Sequence, residues 1–487
     1  MSTGTASEAK GGSTALADPG ILARAEAEKI IVTTRILRAR LTDAGAAVAA
    51  VVLIPLLLVA PALWNRYPLL QWDTGGYLAR WYEGTLVVSR STVFGIYLHY
   101  GQGSRFWLNL GLQALATLWI LHLTLRVMGM ARPFRLLSVA LLLILTTALP
   151  WLCSMLLTDI FAGLSVLSLF ILVLHGTRIS RLEKISLFVF TAFSAATHSA
   201  TFGVLLGLCC LGLIAKPFLG KRIAPSGLVQ GFLAVVASAI MLVSANFALA
   251  GQAVWTPGGY GIAFGRMMQD GIVAQYLKEH CPQQHFKLCS YRDKLPATAD
   301  DFFWGHSMFD KLGRFKGLKD EMSYIVLHSL AEYPAWQAKA ALVATWQQLI
   351  DVATGEGTTG WLPHTYGIIA RYIPSQVRAM RAARQQHWEL NFTPVNWVDV
   401  PVALASMLLA AAIVVAAAWR RRFDDVALLA ATVCFALVGN ALICGVISGP
   451  HDRYGARMVW IATFTVLIAA SRFLGNDELH DKDLRSP

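Results

Sequence analysis

The sequence predicts an all-α polytopic membrane protein with about ten transmembrane helices. Of its 487 residues, 56% are hydrophobic and only 14% are charged, whereas a soluble domain carries about 25% charged residues. The mean hydropathy is +0.53. The apolar runs continue for about 18 residues or more, which is the length that a membrane-spanning helix needs and exceeds the strands of a membrane barrel.

Ten apolar segments are the predicted spans. They fall at residues 44–64, 106–127, 136–151, 160–175, 185–196, 201–214, 229–249, 400–419, 426–447 and 458–473. The fifth and sixth are expected to form one helical hairpin around His198. An eleventh span between residues 251 and 395 would break the alternation of charge, so none is expected there.

The distribution of basic residues predicts the orientation in the membrane. Clusters at residues 35–40, 126–135, 178–184, 216–222 and 420–422 all fall on one side of the ten-span alternation. Because Lys and Arg concentrate in short cytoplasmic loops, both termini are expected in the cytoplasm. The first loop, the turns at residues 153–159, 198 and 450–457, and the long polar region then share the outer face, most simply of a bacterial inner membrane.

These boundaries divide the chain into five parts. Residues 1–42 are expected to form a cytoplasmic tail with a basic amphipathic helix, which either lies on the leaflet or only supplies inside charge. A transmembrane module follows at 43–250, with its outward loop at 65–105, and then an extracytoplasmic or interfacial region at 251–395. Residues 396–475 supply the C-terminal membrane helices, and residues 476–487 form a cytoplasmic tail.

The long region at 251–395 is expected to be mainly helical, because it shows no alternating strand pattern. Residues 332–351 are rich in apolar side chains and include Trp336 and Trp346, which is typical of an interfacial or half-inserted helix. Cys281 and Cys289 lie in this polar region, whereas the other cysteines lie in or beside apolar spans. An oxidising periplasm would favour a disulfide between them, and two unpaired thiols are the alternative.

The net charge of +12 raises the question of nucleic-acid binding. Much of this charge lies beside predicted spans, where it sets topology. No nucleic-acid recognition motif accompanies it. Membrane lipids are therefore the expected partners, and nucleic acid is not.

The predicted outer face collects polar residues from four separate turns. Three of these turns also have a simpler structural explanation: Asp159 as a helix cap, His198 as a structural histidine, and the paired arginines as topological anchors. Together they place carboxylates, histidines and guanidinium groups on one leaflet, a combination suited to binding a lipid phosphate and deprotonating an acceptor hydroxyl. These candidates are Asp73, Tyr77, Arg80, Glu83, Arg90, Asp159, His198, His451, Arg453 and Arg457.

In these residues the chain resembles the GT-C superfamily of membrane glycosyltransferases, which use polyprenyl-phosphate-linked sugars. Asp73 stands in the first outward loop, followed by Tyr77 and by the Ser89-Arg90-Ser91 segment, where the family has an arginine followed by proline. Thr158-Asp159 is similar to the step that opens the family's fourth span, and Arg453-Tyr454 to the pair before its late spans. The resemblance covers the membrane part and leaves the subfamily open.

The resemblance implies a role for each residue. Asp73 would be the general base, Asp159 a second acid, and Arg90, Arg453 and Arg457 the donor phosphate ligands. A divalent cation, Mg or Mn, held by Asp73 and Asp159 is left open. Further substrate contacts would come from Tyr77, Glu83, His198 and His451.

The implied reaction moves a sugar from a polyprenyl-phosphate donor to an extracytoplasmic lipid, glycan or protein, with inversion at the anomeric carbon. Three other functions stay open. They are a lipid or solute transporter, a non-catalytic membrane assembly subunit, and a polymer ligase that takes a lipid-diphosphate donor.

Overall fold

The computed structural model describes residues 41–281, 283–359 and 362–483, and these residues form helices without a strand. The predicted amphipathic helix of the N-terminal tail lies outside the described residues, apart from its last positions.

The first half of the described chain contains eleven α-helices. They are α1 (Leu41–Leu58), α2 (Ala60–Asn65), α3 (Thr74–Glu83), α4 (Thr92–Gly101), α5 (Trp107–Val127), α6 (Pro133–Thr146), α7 (Leu149–Cys153), α8 (Asp159–Leu174), α9 (Arg181–Thr197), α10 (Ser199–Leu219) and α11 (Pro225–Ala250). Short 3-10 turns at Gln102–Ser104 and Gly220–Arg222 join some of them.

The second half contributes eleven more among the described residues. They are α12 (Gly259–Gln269), α13 (Ile272–His280), α14 (Ala299–Trp304), α15 (Met308–Lys311), α16 (Arg314–Glu332), α17 (Pro334–Ile350), α18 (Pro363–Tyr372), α19 (Val377–Arg381), α20 (Thr393–Trp419), α21 (Asp425–Ile447) and α22 (Asp452–Asp483). Lys287–Lys294, Pro374–Gln376 and Arg384–His387 form 3-10 turns.

Within the described residues, seven helices are long and apolar enough to cross a membrane: α1, α5, α10, α11, α20, α21 and the Asp452–Phe473 part of α22. Each of the ten predicted spans falls on a helix, but α6 and α8 have only 14 and 16 residues and α9 has 17. Two predicted spans also run across breaks. The first is interrupted after Leu58, just before Pro61, and the third at Thr147, just before Pro150.

The loops collect at two ends of the helix bundle, and the basic cluster predicted at residues 35–40 lies outside the described residues. At one end, Arg178 donates to the Val127 carbonyl at 2.9 Å and Arg472 to the Met128 carbonyl at 3.2 Å. At the other end the first loop, the turn before α8, the α9–α10 junction and the start of α22 meet, as described below. We call the end where these four segments meet the Asp73 end, and the opposite end, with Arg178 and Arg472, the Arg178 end.

Helix α8 lies at the centre of the bundle and runs between these two ends. Every residue from Asp159 to Leu172 is buried. Gly163 allows α22 to approach, because a Cβ atom there would lie 2.8 Å from the Trp460 ring. Helix α8 therefore presents Asp159 at one end of the molecule and His175 at the other, about 24 Å apart at 1.5 Å per residue.

The polar region folds into two parts. Helices α12–α16 surround a small aromatic core that includes Phe264, Phe302 and Phe309, and Cys281 forms a disulfide with Cys289. Helix α17 lies instead along α21, where a Cβ atom on Gly445 would meet a backbone carbonyl at 2.7 Å. Its outer side exposes Leu342, Val343 and Trp346, as expected for the predicted interfacial helix.

Candidate active site

Four elements bring five of the predicted residues into one network of ion pairs. Arg453, at the start of α22, donates from Nη1 to Asp73 at 2.7 Å and from Nε to Asp159 at 2.7 Å. Arg90 pairs with the other oxygen of Asp73, and Arg457 lies 4.0 Å from Asp159. Asp73 and Arg453 are 380 positions apart in the chain, so the network depends on the assembled bundle.

Asp73 directly precedes α3, and its backbone is held on both sides. Its N–H donates to the Gln71 side chain at 2.7 Å. Two residues later, the Gly75 N–H donates to Thr365 at 3.1 Å, and a Cβ atom on Gly75 would lie 2.7 Å from the backbone of Thr365. The start of α3 is therefore fixed against α18, which orients the carboxylate toward α22.

Arg90 lies at the edge of the network, on the turn between α3 and α4. Its guanidinium stands 5.8 Å from the centre of the Tyr77 ring, which is buried. The buried Arg80 donates to the Val87 carbonyl at 2.5 Å and so holds the turn that carries Arg90. Tyr77 thus contacts Arg90 and is 1% exposed.

The deepest part of the network is Asp159 with Arg457, which are 2% and 1% exposed. Asp159 is the first residue of α8, and its carboxylate contacts guanidinium groups. Arg457 also donates to the Asn440 side chain at 2.6 Å and from Nη1 to Nδ1 of His198 at 3.3 Å. Arg453 and Arg457 are four residues apart, so both face the Asp159 carboxylate from one side of α22.

His198 joins α9 to α10 and is neutral in this setting. Its Nδ1 accepts from the Ala200 N–H at 3.2 Å and faces Arg457, which can only donate. Burial lowers the pKa of His198, and the nearby Arg457, Arg453 and Arg90 lower it further. A neutral His198 contacts the guanidinium cluster without adding positive charge.

His451 pairs with Glu356, a residue that the sequence reasoning missed. The two side chains approach to 2.8 Å, and Glu356 also accepts the Arg453 N–H at 2.9 Å. The Glu356 hydrogen bond raises the pKa of His451. Burial raises the pKa of Glu356, but its hydrogen bonds with His451 and the Arg453 backbone hold it below its ordinary value.

The loop at residues 351–359 carries Glu356 into the site. The Thr354 hydroxyl donates to Asp399 at 2.9 Å, and the Ala353 N–H donates to Asp452 at 2.8 Å. The Gly357 carbonyl accepts the Trp72 N–H at 3.2 Å. In the sequence, Glu356 could have been recognised as a carboxylate between two glycines, in Thr354-Gly-Glu-Gly, directly after an apolar helix.

Asp73 is ionised, and each of its two carboxylate oxygens contacts an arginine. Burial raises the pKa of its carboxyl group, but Arg90 and Arg453 outweigh burial, so the pKa lies below its ordinary value. The carboxylate can act as a base only after the guanidinium groups turn to another anion. A phosphate group arriving between Arg90 and Arg453 would have that effect.

Glu83 does not join the network. It lies at the far end of α3, about 15 Å of helix from Asp73, and accepts a hydrogen bond from Tyr372 at 2.8 Å. Of the other predicted residues, Arg90, Asp159, His198, His451, Arg453 and Arg457 lie together with Asp73, and Tyr77 lies beneath Arg90.

The donor set between the two aspartates suits a guanidinium better than a metal ion. Arg453 stands between Asp73 and Asp159 and contacts both, where a shared cation would have to lie. Among the described residues, Glu279, His280 and Glu332 place ligand atoms within 4.8 Å of one another. His280 and Glu332 already pair with each other there at 2.9 Å. Addition of EDTA to a transfer assay tests metal dependence directly.

Comparison of the chain with protein-family models, with curated proteins and with solved structures finds no match. The geometry and charge of this network are therefore the basis for inferring a function.

Proposed function

We propose that the protein is a membrane glycosyltransferase that moves a sugar from a polyprenyl-phosphate donor to an extracytoplasmic acceptor. One observation carries the proposal. Two carboxylates and three arginines from distant parts of the chain meet at one end of a helix bundle. The outer members of this set are partly exposed, with 18% of the Asp73 side chain and 19% of the Arg90 side chain exposed.

The charge arrangement supports a phosphate-linked donor. Arg90 and Arg453 hold Asp73 from both sides, and an arriving phosphate competes for the same guanidinium groups. As those groups turn to the phosphate, Asp73 regains basicity and can accept the proton of the acceptor hydroxyl. Donor binding and activation of the base are coupled in this way.

The deeper residues stabilise the leaving group. Arg457, positioned by Asn440 and His198, keeps a positive charge close to Asp159. When the bond between the sugar and the phosphate breaks, negative charge develops on the phosphate, and the guanidinium groups that have already turned toward the bound donor stabilise that charge. A single displacement by an acceptor that one base activates predicts inversion, and an NMR assignment of product configuration tests this.

Two observations favour an extracytoplasmic position for the Asp73 end. The basic clusters of the short loops belong to the opposite end of the bundle, which is the cytoplasmic end by the positive-inside rule. The Cys281–Cys289 disulfide lies in the polar region that joins the Asp73 end, and disulfides persist in oxidising compartments.

The test measures transfer of radiolabelled sugar from a panel of polyprenyl-phosphate donors in membrane vesicles, which also supply acceptors. Asp73→Asn is expected to lower transfer by about 100-fold or more, the contribution of a general base. Glu83→Gln is the matched control, because it removes a carboxylate at the far end of the helix that Asp73 precedes, and it should transfer like the parent. EDTA is expected to leave transfer unchanged, since Arg453 lies between the carboxylates.

Equal transfer by the parent and Asp73→Asn would overturn the proposal. A non-catalytic assembly subunit would give that result. A transporter would instead move labelled donor across the vesicle membrane without transferring its sugar.

A further inference from the structure

A cavity of about 470 Å³ lies at the Arg178 end of the bundle. It opens where α8 ends and α21 begins. Its polar lining includes His175, Arg178, Arg222, Asp424, Asp425 and Arg472. Because Arg453 and Arg472 lie about 28 Å apart along α22, this cavity is separate from the Asp73 network.

The lining has more positive than negative charge, and two of its three ion pairs are long. Three arginines face two aspartates. Arg178 contacts Asp425 at 2.8 Å, but Arg222 reaches Asp425 only at 4.0 Å, and Arg472 reaches Asp424 only at 3.8 Å. A guanidinium carries five N–H donors, so Arg222 and Arg472 keep donors for another oxygen-rich group.

His175 supplies a second, independent indication of a ligand. It is 3% exposed, and its Nε2 has no hydrogen-bond partner within the described part of the chain. The ring is fixed edge-on to Phe170 at 5.0 Å. An unpaired buried nitrogen is unfavourable, and a ligand oxygen in the cavity would satisfy it.

The start of α21 favours the same kind of ligand. The first N–H groups of a helix attract anions, and at present the side chain of Asp424 accepts one of them, from Ala427 at 2.8 Å. The aspartates therefore act as internal anions that hold the arginines in place. An external anion would compete with Asp424 and Asp425 for them.

We infer that this cavity binds a phosphate-bearing anion between the guanidinium groups of Arg178, Arg222 and Arg472. The planar guanidinium fork matches phosphate oxygens in pairs. The same chemistry is offered by the headgroup of an anionic phospholipid and by free phosphate. This site is independent of the proposed glycosyltransfer reaction.

The first test uses full-length protein in detergent at low salt. Binding of radiolabelled inorganic phosphate is measured by equilibrium dialysis, and retention of phosphatidylglycerol is measured by native mass spectrometry. The double variant Arg178→Gln/Arg472→Gln should weaken binding about tenfold or more, as expected for loss of charged hydrogen bonds. Arg420→Gln, a matched loss of an exposed arginine outside the cavity lining, should bind like the parent.

The two ligands identify the source of the phosphate. Weaker phosphate binding in the double variant supports a free anion, and weaker lipid retention supports a headgroup. If the parent binds neither ligand, or if Arg420→Gln weakens binding as much as the double variant, the inference is wrong.

A gain-of-binding variant keeps the test informative if the double variant fails to fold. Asp425→Asn removes the carboxylate that competes for Arg178 and Arg222. We expect it to tighten anion binding about threefold, the scale of an exposed ion pair. Unchanged or weaker binding in Asp425→Asn would mean that these residues form only a structural ion-pair cluster.

Discussion

Replacing Arg453 by glutamine should destabilise the protein more than replacing an exposed arginine does. Arg453 neutralises Asp73 and Asp159 together, and its side chain is only 11% exposed. Asp73 would keep Arg90 and contact with water. Among the described residues, Asp159, which is 2% exposed, would keep only Arg457 at 4.0 Å. Leaving a buried charge without its partner costs about 3–5 kcal/mol, and we expect the lower part of that range.

The measurement is the free energy of unfolding in mixed micelles with increasing denaturing detergent. Arg453→Gln should lower it by about 3 kcal/mol, whereas Arg371→Gln, an exposed arginine in α18, should change it by less than about 0.5 kcal/mol. The double variant Arg453→Gln/Asp159→Asn should lose about 2 kcal/mol less stability than the sum of the losses of the two single variants, because the two residues share one interaction. Strict additivity, or a loss below about 1 kcal/mol for Arg453→Gln, would refute the buried ion pair.

Two further predictions concern the elements around the network. Gly455→Ala should destabilise the protein by about 1–3 kcal/mol, because its Cβ would lie 2.0 Å from the Asp351 carbonyl. Gly439→Ala, whose Cβ would have no described atom within 4 Å, should be neutral or stabilising in the same unfolding assay. The His451–Glu356 pair should stabilise the fold most between about pH 4.5 and 6.5, the unfolded pKa values of the two groups. The pKa of His451 is raised in the folded protein, so its contribution to stability is lost as the pH rises through that folded pKa. The pKa of Glu356 is lowered in the folded protein, so its contribution is lost as the pH falls through that folded pKa.

Both predictions have clear contradicting results. Equal unfolding free energies for Gly455→Ala and Gly439→Ala would mean that the loop at 351–359 does not lie against α22. For the pH effect, Glu356→Gln should abolish the loss of stability between pH 6 and pH 8.5. An undiminished loss in that variant would assign the effect to other groups.

The sequence predicts which turns share one end of the bundle, because charge alternation and apolar length determine how the chain crosses from end to end. That reasoning brings Asp73, Asp159 and Arg453 to the same end. It does not predict that Arg453 lies between the two aspartates, because this contact depends on the close packing of α8 and α22 at Gly163.

The residues that the sequence does not identify owe their positions to tertiary contacts. Glu356 reaches the site because Asn396, Asp399 and Asp452 hold its loop. Glu83 shows the opposite case. It lies in the expected loop, but the helical rise of α3 carries it away from Asp73.

The proposed transfer reaction requires that the Asp73 network bind a lipid-linked phosphate. The most direct measurement is the affinity of sugar-free polyprenyl phosphate for the purified parent, for Asp73→Asn and for Arg90→Gln. Because Asp73 competes with the phosphate for Arg90 and Arg453, Asp73→Asn should bind as tightly as the parent or more tightly. Arg90→Gln should bind about tenfold more weakly. Absence of binding by the parent, or weaker binding by Asp73→Asn, would contradict the proposal.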